Sequence, residues 1–490
     1  MIRISFDNVP APPWNLALAK VVVQPRGSSQ MFECKVIDWK ADVLAILPPD
    51  LPIGPAALTL SINGTTWPST DFEIVSAGIS LFEYTPLSFF NGGLAQNVDA
   101  LGKTTLNRLS NPALPGQYIT LWGTGIGNLS SKDITVDVAG IIVPPLFTGH
   151  SAQYPGVDQI NFQLPSDAIN GCYVPVKLRF NGTESDPITI AKAATGGACD
   201  HPLGLTPDEL KTLDAGGSIP FGSFSLGSGT YGPGSFRGVT SVQIPEDYFR
   251  SESVQASFGN SRMDNVRGLS GVQEPDSVFL SCRPYGNGSG TGGLFRAPAP
   301  GVKLILEGPA GQQIDIPGRS GQYFWPNPFL NPTTAPAASS PDLLPRTFTA
   351  GTWTLSSNGD DTLAPFKQSF QLPSAIRWIN KSALTTINRD APIEAQWDPS
   401  GYLPDEIFSF SVSGGGQSGF SCNTPAMTGT IRFPLALIQQ LTPSATGQID
   451  ASVSNHPFRR QQFKVPLANG SLLRTVLSYS IGDLLPVVIK

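Results

Sequence analysis

Charge is scarce in this sequence. Lys, Arg, Asp and Glu together make up 14% of the chain, against roughly a quarter in an average soluble protein. The net charge is −6, which excludes the basic surface that non-specific phosphate-backbone binding requires. Histidine is scarcer still. Only His150, His201 and His456 occur, without His-x-x-x-His spacing, so a catalytic zinc would have to draw on distant carboxylates. No Gly-x-Ser-x-Gly elbow is present, and a serine hydrolase would have only those three histidines to choose its base from. No run of 18 apolar residues exists, so no membrane span is predicted. None of the five cysteines lies in a Cys-x-x-Cys pair, which leaves a zinc ribbon or a thioredoxin-type site without support. The start, Met1 to Pro13, lacks a basic segment followed by an apolar one. It does not read as a signal peptide.

What is present points to β structure. Hydrophobic residues make up 40% of 490 residues, and 51 Gly and 46 Pro punctuate the apolar runs. Many short strands divided by Gly and Pro turns is the pattern of sandwiches and barrels. Ser, Thr and Asn supply much of the polarity, which disfavours helices. The length suggests about three to four domains.

An internal repeat organises the first part. Leu47-Pro48 to Val75 and Leu164-Pro165 to Ala191 both run from Leu-Pro through an Asp and a Gly into an alternating strand. Both then turn at Asn-Gly-Thr, at Asn63-Gly64-Thr65 and Asn181-Gly182-Thr183, and end in a second strand. Asn-Gly between alternating runs is a strong hairpin signal, because a type I′ turn needs positive φ at two positions. These Asn-Gly-Thr triplets read as turns before they read as glycan acceptors. Between the repeats, Gly116 to Gly125 alternates with Tyr118, Thr120 and Trp122 on one face. Ile134 to Val143 forms a hairpin around Ala139-Gly140. Asp158 to Leu164 turns Ile160, Phe162 and Leu164 inward.

Beyond Cys199 the pattern changes. Thr206-Pro207-Asp208-Glu209 opens a helix, with Thr as N-cap, Pro in the first turn and Glu at the third position. Leu205, Leu210 and Leu213 form its apolar stripe and Gly216-Gly217 ends it. Short strands follow at Val302 to Ile316, Gly351 to Ser357, Phe366 to Leu372, Ile393 to Trp397 and Ile407 to Val412. Ser281 to Arg296 and Pro326 to Leu343 read as loops, and Phe433 to Leu441, entered through Pro434, as a short second helix. The resulting division is 1–77, a truncated sandwich domain; 78–198, a complete one; 205–372, a β-rich domain opened by the helix; and 373–490, a sandwich-like C-terminal domain. The truncated first repeat suggests a chain that begins inside a domain.

The stretch from about Leu94 to Ala193 carries ordered landmarks. They are Ala95-Gln96-Asn97, Asn111-Pro112-Ala113 with Pro115-Gly116, and Gly123-Thr124-Gly125 with Gly127. Gln153 to Asn161, Leu164-Pro165 and Gly171-Cys172 with Pro175-Val176 complete the series. This stretch resembles an immunoglobulin-like C-terminal domain of uncharacterised secreted bacterial proteins, abundant in acidobacteria. The segment before it is similar to the IPT/TIG class. The last 290 residues resemble extensions of the same proteins more loosely, on Phe420-Ser421-Cys422 with Pro425-Ala426. The resemblance implies tandem immunoglobulin-like sandwiches and a secreted or cell-surface location. It implies no activity, so no functional residue is carried over.

Candidate chemistry is thin. Gly123 to Asn128 evokes a phosphate loop, but it leads to a strand, and such a loop needs a helix N-terminus behind it. The glycines read as a tight strand exit. Asp158, Glu307, Glu394 and Asp398 are carboxylates near strands that a glycosidase pair could use, among 37 acids in the chain. Asn358-Gly359-Asp360-Asp361 resembles half a calcium loop and reads better as a turn. No metal or cofactor is expected. Tyr323, Phe324, Trp325 and Phe329 cluster by the proline-rich loop, with Trp353 a candidate neighbour. They form either an exposed glycan- or partner-binding patch or a plug in the core. Cys172 opens the strand before the second Asn-Gly hairpin and Cys199 follows the strand that closes it. A bridge between them closes a loop of about 28 residues, worth about 3–4 kcal/mol in the chain-entropy model. Cys282 and Cys422 would then pair, leaving Cys34 over. Five buried thiols are the alternative. The reading is a non-catalytic secreted or surface protein for adhesion or scaffolding, without nucleic-acid or membrane-spanning parts. The alternative is a carbohydrate-binding or carbohydrate-active protein using the aromatic patch, and an orphan hydrolase is the weakest reading.

Overall fold

The computed structural model describes residues 2–4, 18–39, 43–48, 50–83, 92–231, 248–262, 282–284, 303–319, 322–325, 337–338, 344, 346–360, 363–414, 419–456 and 460–490. The chain divides into two compact units, Met1–Asp200 and His201–Lys490. Both are built almost wholly from strands, so the protein is all-β and multidomain.

Residues 2–74 of the first unit form one seven-stranded sheet closed around its own core of Val21, Val23, Val43, Leu60 and Ile74. Strand Phe32–Trp39 turns the corner. Its first residues pair with Ala19–Pro25 and its last with Val43–Ile46, with a register shift between Val36 and Asp38. A strand that changes partner at a bulge is how a single sheet folds onto itself. Residues 80–192 form a true sandwich. A six-stranded sheet centred on Tyr118–Thr124 faces a five-stranded one centred on Gly171–Phe180. Ile119, Leu121, Ile160 and Phe162 interleave with Val136, Val174, Val176 and Leu178 in one core. Tyr118 and Trp122 face outward, as the alternation predicts.

The hairpin signals are borne out in detail. Asn63 and Gly64 have φ of 49° and 79°, and Asn181 and Gly182 have 48° and 74°. Ala139 and Gly140 also adopt positive φ, as two-residue hairpin turns require. The helix forms at Pro207–Asp214. Its N-cap Thr206 Oγ1 accepts from the Glu209 amide, and Glu209 Oε2 accepts from the Thr206 amide at 2.7 Å. The second helix is shorter than the sequence suggests. Only Leu435–Ile438 is helical, and Phe433 ends the strand Thr430–Phe433.

The second unit departs from the expected division. Residues on both sides of 372/373 share one fifteen-stranded sheet and one core. Its axis is the 18-residue strand Leu472–Ile489. This strand pairs antiparallel with Ser444–Asn455 and parallel with Ser218–Tyr231, from Phe221↔Arg474 to Ser228↔Ile481. The first and last long strands of the unit are therefore neighbours. Parallel pairing needs a crossover and is not announced by any hairpin, which is why the sequence suggests two domains here. The sheet curls until Phe224 meets Phe370 edge-to-face at 5.6 Å, although their strands lie six places apart in its order. Trp353, Trp397, Phe408 and Phe410 fill the enclosed core.

Candidate functional site

Both expected disulfides are formed. Cys172 pairs with Cys199, and Cys282 with Cys422 across paired positions of neighbouring strands. Cys34 is free and buried. Burial and the neighbouring Glu33 push its thiol up to about 11.

The aromatic cluster does not make a described surface platform. Tyr323 and Trp325 are half-buried and pack against the main core. Tyr323 meets Phe258 edge-to-face at 5.9 Å, and Trp325 meets Phe348 at 6.1 Å. Burial pushes the Tyr323 phenol up to about 12. Strand alternation explains the placement: 323 and 325 share the face that turns inward. Trp353, by contrast fully buried, packs on Phe348. Phe324 pairs through its backbone with Gln255. The Phe324 side chain and the whole of Phe329 lie outside the described residues.

The candidate carboxylates are held by separate local partners. Asp158, in the first unit, is buried and accepts from the Ile126 amide at 2.8 Å, with His150 Nδ1 2.6 Å from its other oxygen. It thereby anchors the Gly123–Gly127 segment. Gly125 and Gly127 there have φ of 89° and 58°, and a Cβ would lie 2.2 Å and 2.1 Å from the Gly78 and Ser76 carbonyl oxygens. These glycines serve close strand packing. In the second unit Glu307 faces Lys367, Glu394 accepts from Gln396, and Asp398 accepts from the Ser400 amide beside Arg377. His201 Nδ1 accepts from the Leu203 amide, and His456 is buried with its amide on the Asp405 carbonyl. Asp360 closes a turn with Leu363, while Asp361 lies outside the described residues. Among the described residues no group of three His, Cys, Asp or Glu is placed to hold a metal.

Among the described residues, two cavities in the second unit hold carboxylates beside tyrosines. One, of about 430 Å³, holds Asp405, Glu406, Asn455 and Tyr479. Burial raises both the Glu406 carboxyl and the Tyr479 phenol. Both Glu406 oxygens are already committed, one to the Leu403 amide at 2.7 Å and one to the Tyr479 hydroxyl at 2.8 Å. Glu406 thus ties a turn to the central strand.

The other cavity lies on the outer face of the large sheet and has about 550 Å³. The sheet register generates it. Large apolar residues alternate with Ser and Gly in each central strand, so the apolar set faces the core and the small polar set faces out. One outward row runs across the strands through Ser251, Gly229, Gly482, Ser452 and Ser409. The next runs through Ser253, Gly227, Ser480 and Ser454. Three glycines therefore form a low floor between serine hydroxyls. Tyr231, Leu484 and Asp450 form the adjoining wall. The Tyr231 ring lies back along its own strand over Gly229, where a Cβ would come within 3.2 Å of its hydroxyl and 3.3 Å of the ring. Gln448 Nε2 donates to Asp450 Oδ2 at 2.9 Å. Burial lifts Asp450 to about 6, and burial together with the Asp450 charge raises the Tyr231 phenol. No Lys or Arg is among the described residues lining this trough.

A buried ionic network braces the floor from the core side. Arg346 bonds to Asp483 at 2.8 Å, and Arg250 donates to the Gly482 carbonyl at 3.3 Å. Glu252 accepts from the Ser228 hydroxyl and from the Thr347 and Phe348 amides. These contacts cross-link the strands that carry the three glycines. Sequence reasoning does not single out the trough. Its signal is the alternation of serine with large apolar residues at Gly222 to Tyr231, Ser251 to Ser257, Ile407 to Ser413, Asp450 to Ser454 and Ser478 to Gly482. Which of those serines share a row is set by strand neighbours distant in sequence.

No family model matches the chain, and no curated protein matches it. Among solved structures it aligns with a tetra-tandem repeat from the extending region of a large adhesion protein. That alignment covers 94% of this chain and 91% of the other, at 10% identity and TM-score 0.16. Sidekick-1 immunoglobulin domains 1–4 align over 96% and 90%, at 8% identity and TM-score 0.13. The N-terminal four immunoglobulin domains of Dscam1 isoform 8.4 align over 96% and 91%, at 7% identity and TM-score 0.12. At such scores the likeness carries no argument about shape, ligand or partner, and the all-β assignment rests on this chain's own sheets. Among the described residues no helix is long and apolar enough to cross a membrane.

Proposed function

We propose that this chain is a non-catalytic secreted or cell-surface protein whose β modules serve adhesion or scaffolding. The observation that carries the reading is the outer face of the large sheet. Its central strands present Ser and Gly around a trough of about 550 Å³, backed by a braced ionic network. A rigid, concave, hydroxyl-rich surface with few charges is suited to holding a ligand. Two disulfides support a location outside the reducing cytosol. The sparse charge and the all-β composition fit a protein that works by surface contact.

The test couples the purified full chain to beads and measures their retention on surfaces coated with extracellular matrix polymers. Saturable retention that survives about 0.5 M salt is expected, because few charges are available to be screened. A panel of glycoside, ester and peptide substrates is expected to remain uncleaved by the same preparation. Absence of retention on every surface, or sustained turnover of any substrate, overturns the proposal.

A further inference from the structure

We propose that the glycine-floored trough on the outer face of the large sheet binds a neutral oligosaccharide or polysaccharide lying across the strands. The inference rests on the adhesive reading above and names the ligand class for one site.

The dimensions suit a chain of sugar rings. The part of the row that lines the cavity, from Ser251 to Ser452, crosses four strands, which at about 4.8 Å per strand is roughly 14 Å. The bare backbone at Gly227 and Gly482 sinks the floor along that line, and the Tyr231 ring lies over Gly229 beside it. The hydrogen-bonding character suits hydroxyls. Each serine hydroxyl both donates and accepts, as a sugar hydroxyl does. Gln448 and Asp450 set an amide beside a carboxylate at 2.9 Å, a pair able to grip two adjacent hydroxyls. Tyr231, half-buried beside the buried Leu484, provides the apolar wall against which the C–H face of a ring can rest.

The same geometry disfavours other ligands. An extended peptide gains most of its affinity by adding a strand to an open sheet edge. The trough lies over Ser218–Tyr231, Leu472–Ile489 and Ser444–Asn455, each paired with a strand on both sides. Among the described residues no backbone edge is open along those three strands. A nucleic acid or sulfated glycan would need cations, and the described lining contains none while presenting Asp450.

The test is affinity electrophoresis of the full chain in gels containing soluble neutral polysaccharides of gluco-, xylo- and manno- type, followed by calorimetry with oligosaccharides of the retarding polymer. At least one neutral polymer is expected to retard the chain. Ser480 is exposed, so Ser480→Trp fills the trough without touching the core, and it should weaken binding at least about tenfold, on the order of 1.4 kcal/mol. Ser452→Ala, which removes one hydroxyl and adds no bulk, should weaken it about three- to tenfold. Both variants should melt like the parent. Lack of retardation by every neutral polymer, or retardation unaffected by Ser480→Trp, overturns the inference. Bead retention separates this from failure of the broader reading. Retention abolished by protease treatment of the coated surface but indifferent to periodate leaves adhesion standing and removes the sugar ligand. Loss of retention on every surface removes both.

Discussion

Asp450 sits beside the trough with its carboxyl lifted by burial to about 6, above an ordinary value of 3.8. A raised acid favours the folded state when protonated. Its contribution is fully present below about pH 4 and is lost as pH rises through 6. Asp450→Asn should therefore stabilise the protein at pH 8 by roughly 2–3 kcal/mol, the free-energy equivalent of that rise, and leave it nearly unchanged at pH 4. Urea midpoints of parent and variant at the two pH values decide this, and an equal difference at both would refute it. Glycine supplies a second contrast. Gly125 and Gly182 both have positive φ, but a Cβ at Gly125 meets a carbonyl oxygen at 2.2 Å whereas one at Gly182 meets open space. Gly182→Ala should cost only the conformational penalty of about 1–2 kcal/mol. Gly125→Ala should cost at least about 2 kcal/mol more, since backbone must move. Thermal melts giving the two variants equal loss would contradict the packing role assigned to Gly125. Cys34, whose thiol is held at about 11 by burial, should resist alkylation at pH 8 in the native protein and react once denatured, as mass spectrometry would register.

At the scale of elements, the Cys172–Cys199 bridge ties the start of strand Gly171–Phe180 to the segment beyond Ile188–Lys192. The sequence separation is 27, for which loop-closure entropy gives about 3–4 kcal/mol. Replacing both cysteines by serine should lower the stability of the 80–192 sandwich by about that amount and leave the second unit's transition in place. Two transitions shifting together in calorimetry would contradict it. The hairpins, the helix cap and this bridge are legible in the sequence because each is local. Asn-Gly at positive φ, Thr206 with Glu209, and a cysteine at each end of a hairpin unit all state their geometry within a short span. The helix expected over 433–441 is shorter because Phe433 is recruited as a strand partner, pairing with Ile393 across the two-stranded sheet.

For the whole molecule, the decisive feature is the parallel pairing of Ser218–Tyr231 with Leu472–Ile489. It makes residues 201–490 one unit with one core. A chain cut at 372 should leave neither half folded, because each would expose half of that core and an open central strand edge. Near-ultraviolet circular dichroism of 201–372, 373–490 and 201–490 checks this. Native signal from 373–490 alone would restore the division that the sequence suggests. The proposed adhesive surface belongs to this scale as well, since the trough rows draw residues from 227 to 482.

The sequence by itself determined the all-β class, the turns and the helix start. These follow from period-two alternation, from the φ demands of Asn-Gly and from short-range capping. The tertiary structure decided which strands are neighbours, and with them where the described functional candidates sit. It packed Tyr323 and Trp325, half-buried, against the core, since a one-residue change of phase moves a side chain to the other face. It gathered glycines and serines from strands hundreds of residues apart into one trough. Alternation fixes that a serine faces outward. Only non-local pairing fixes what stands beside it.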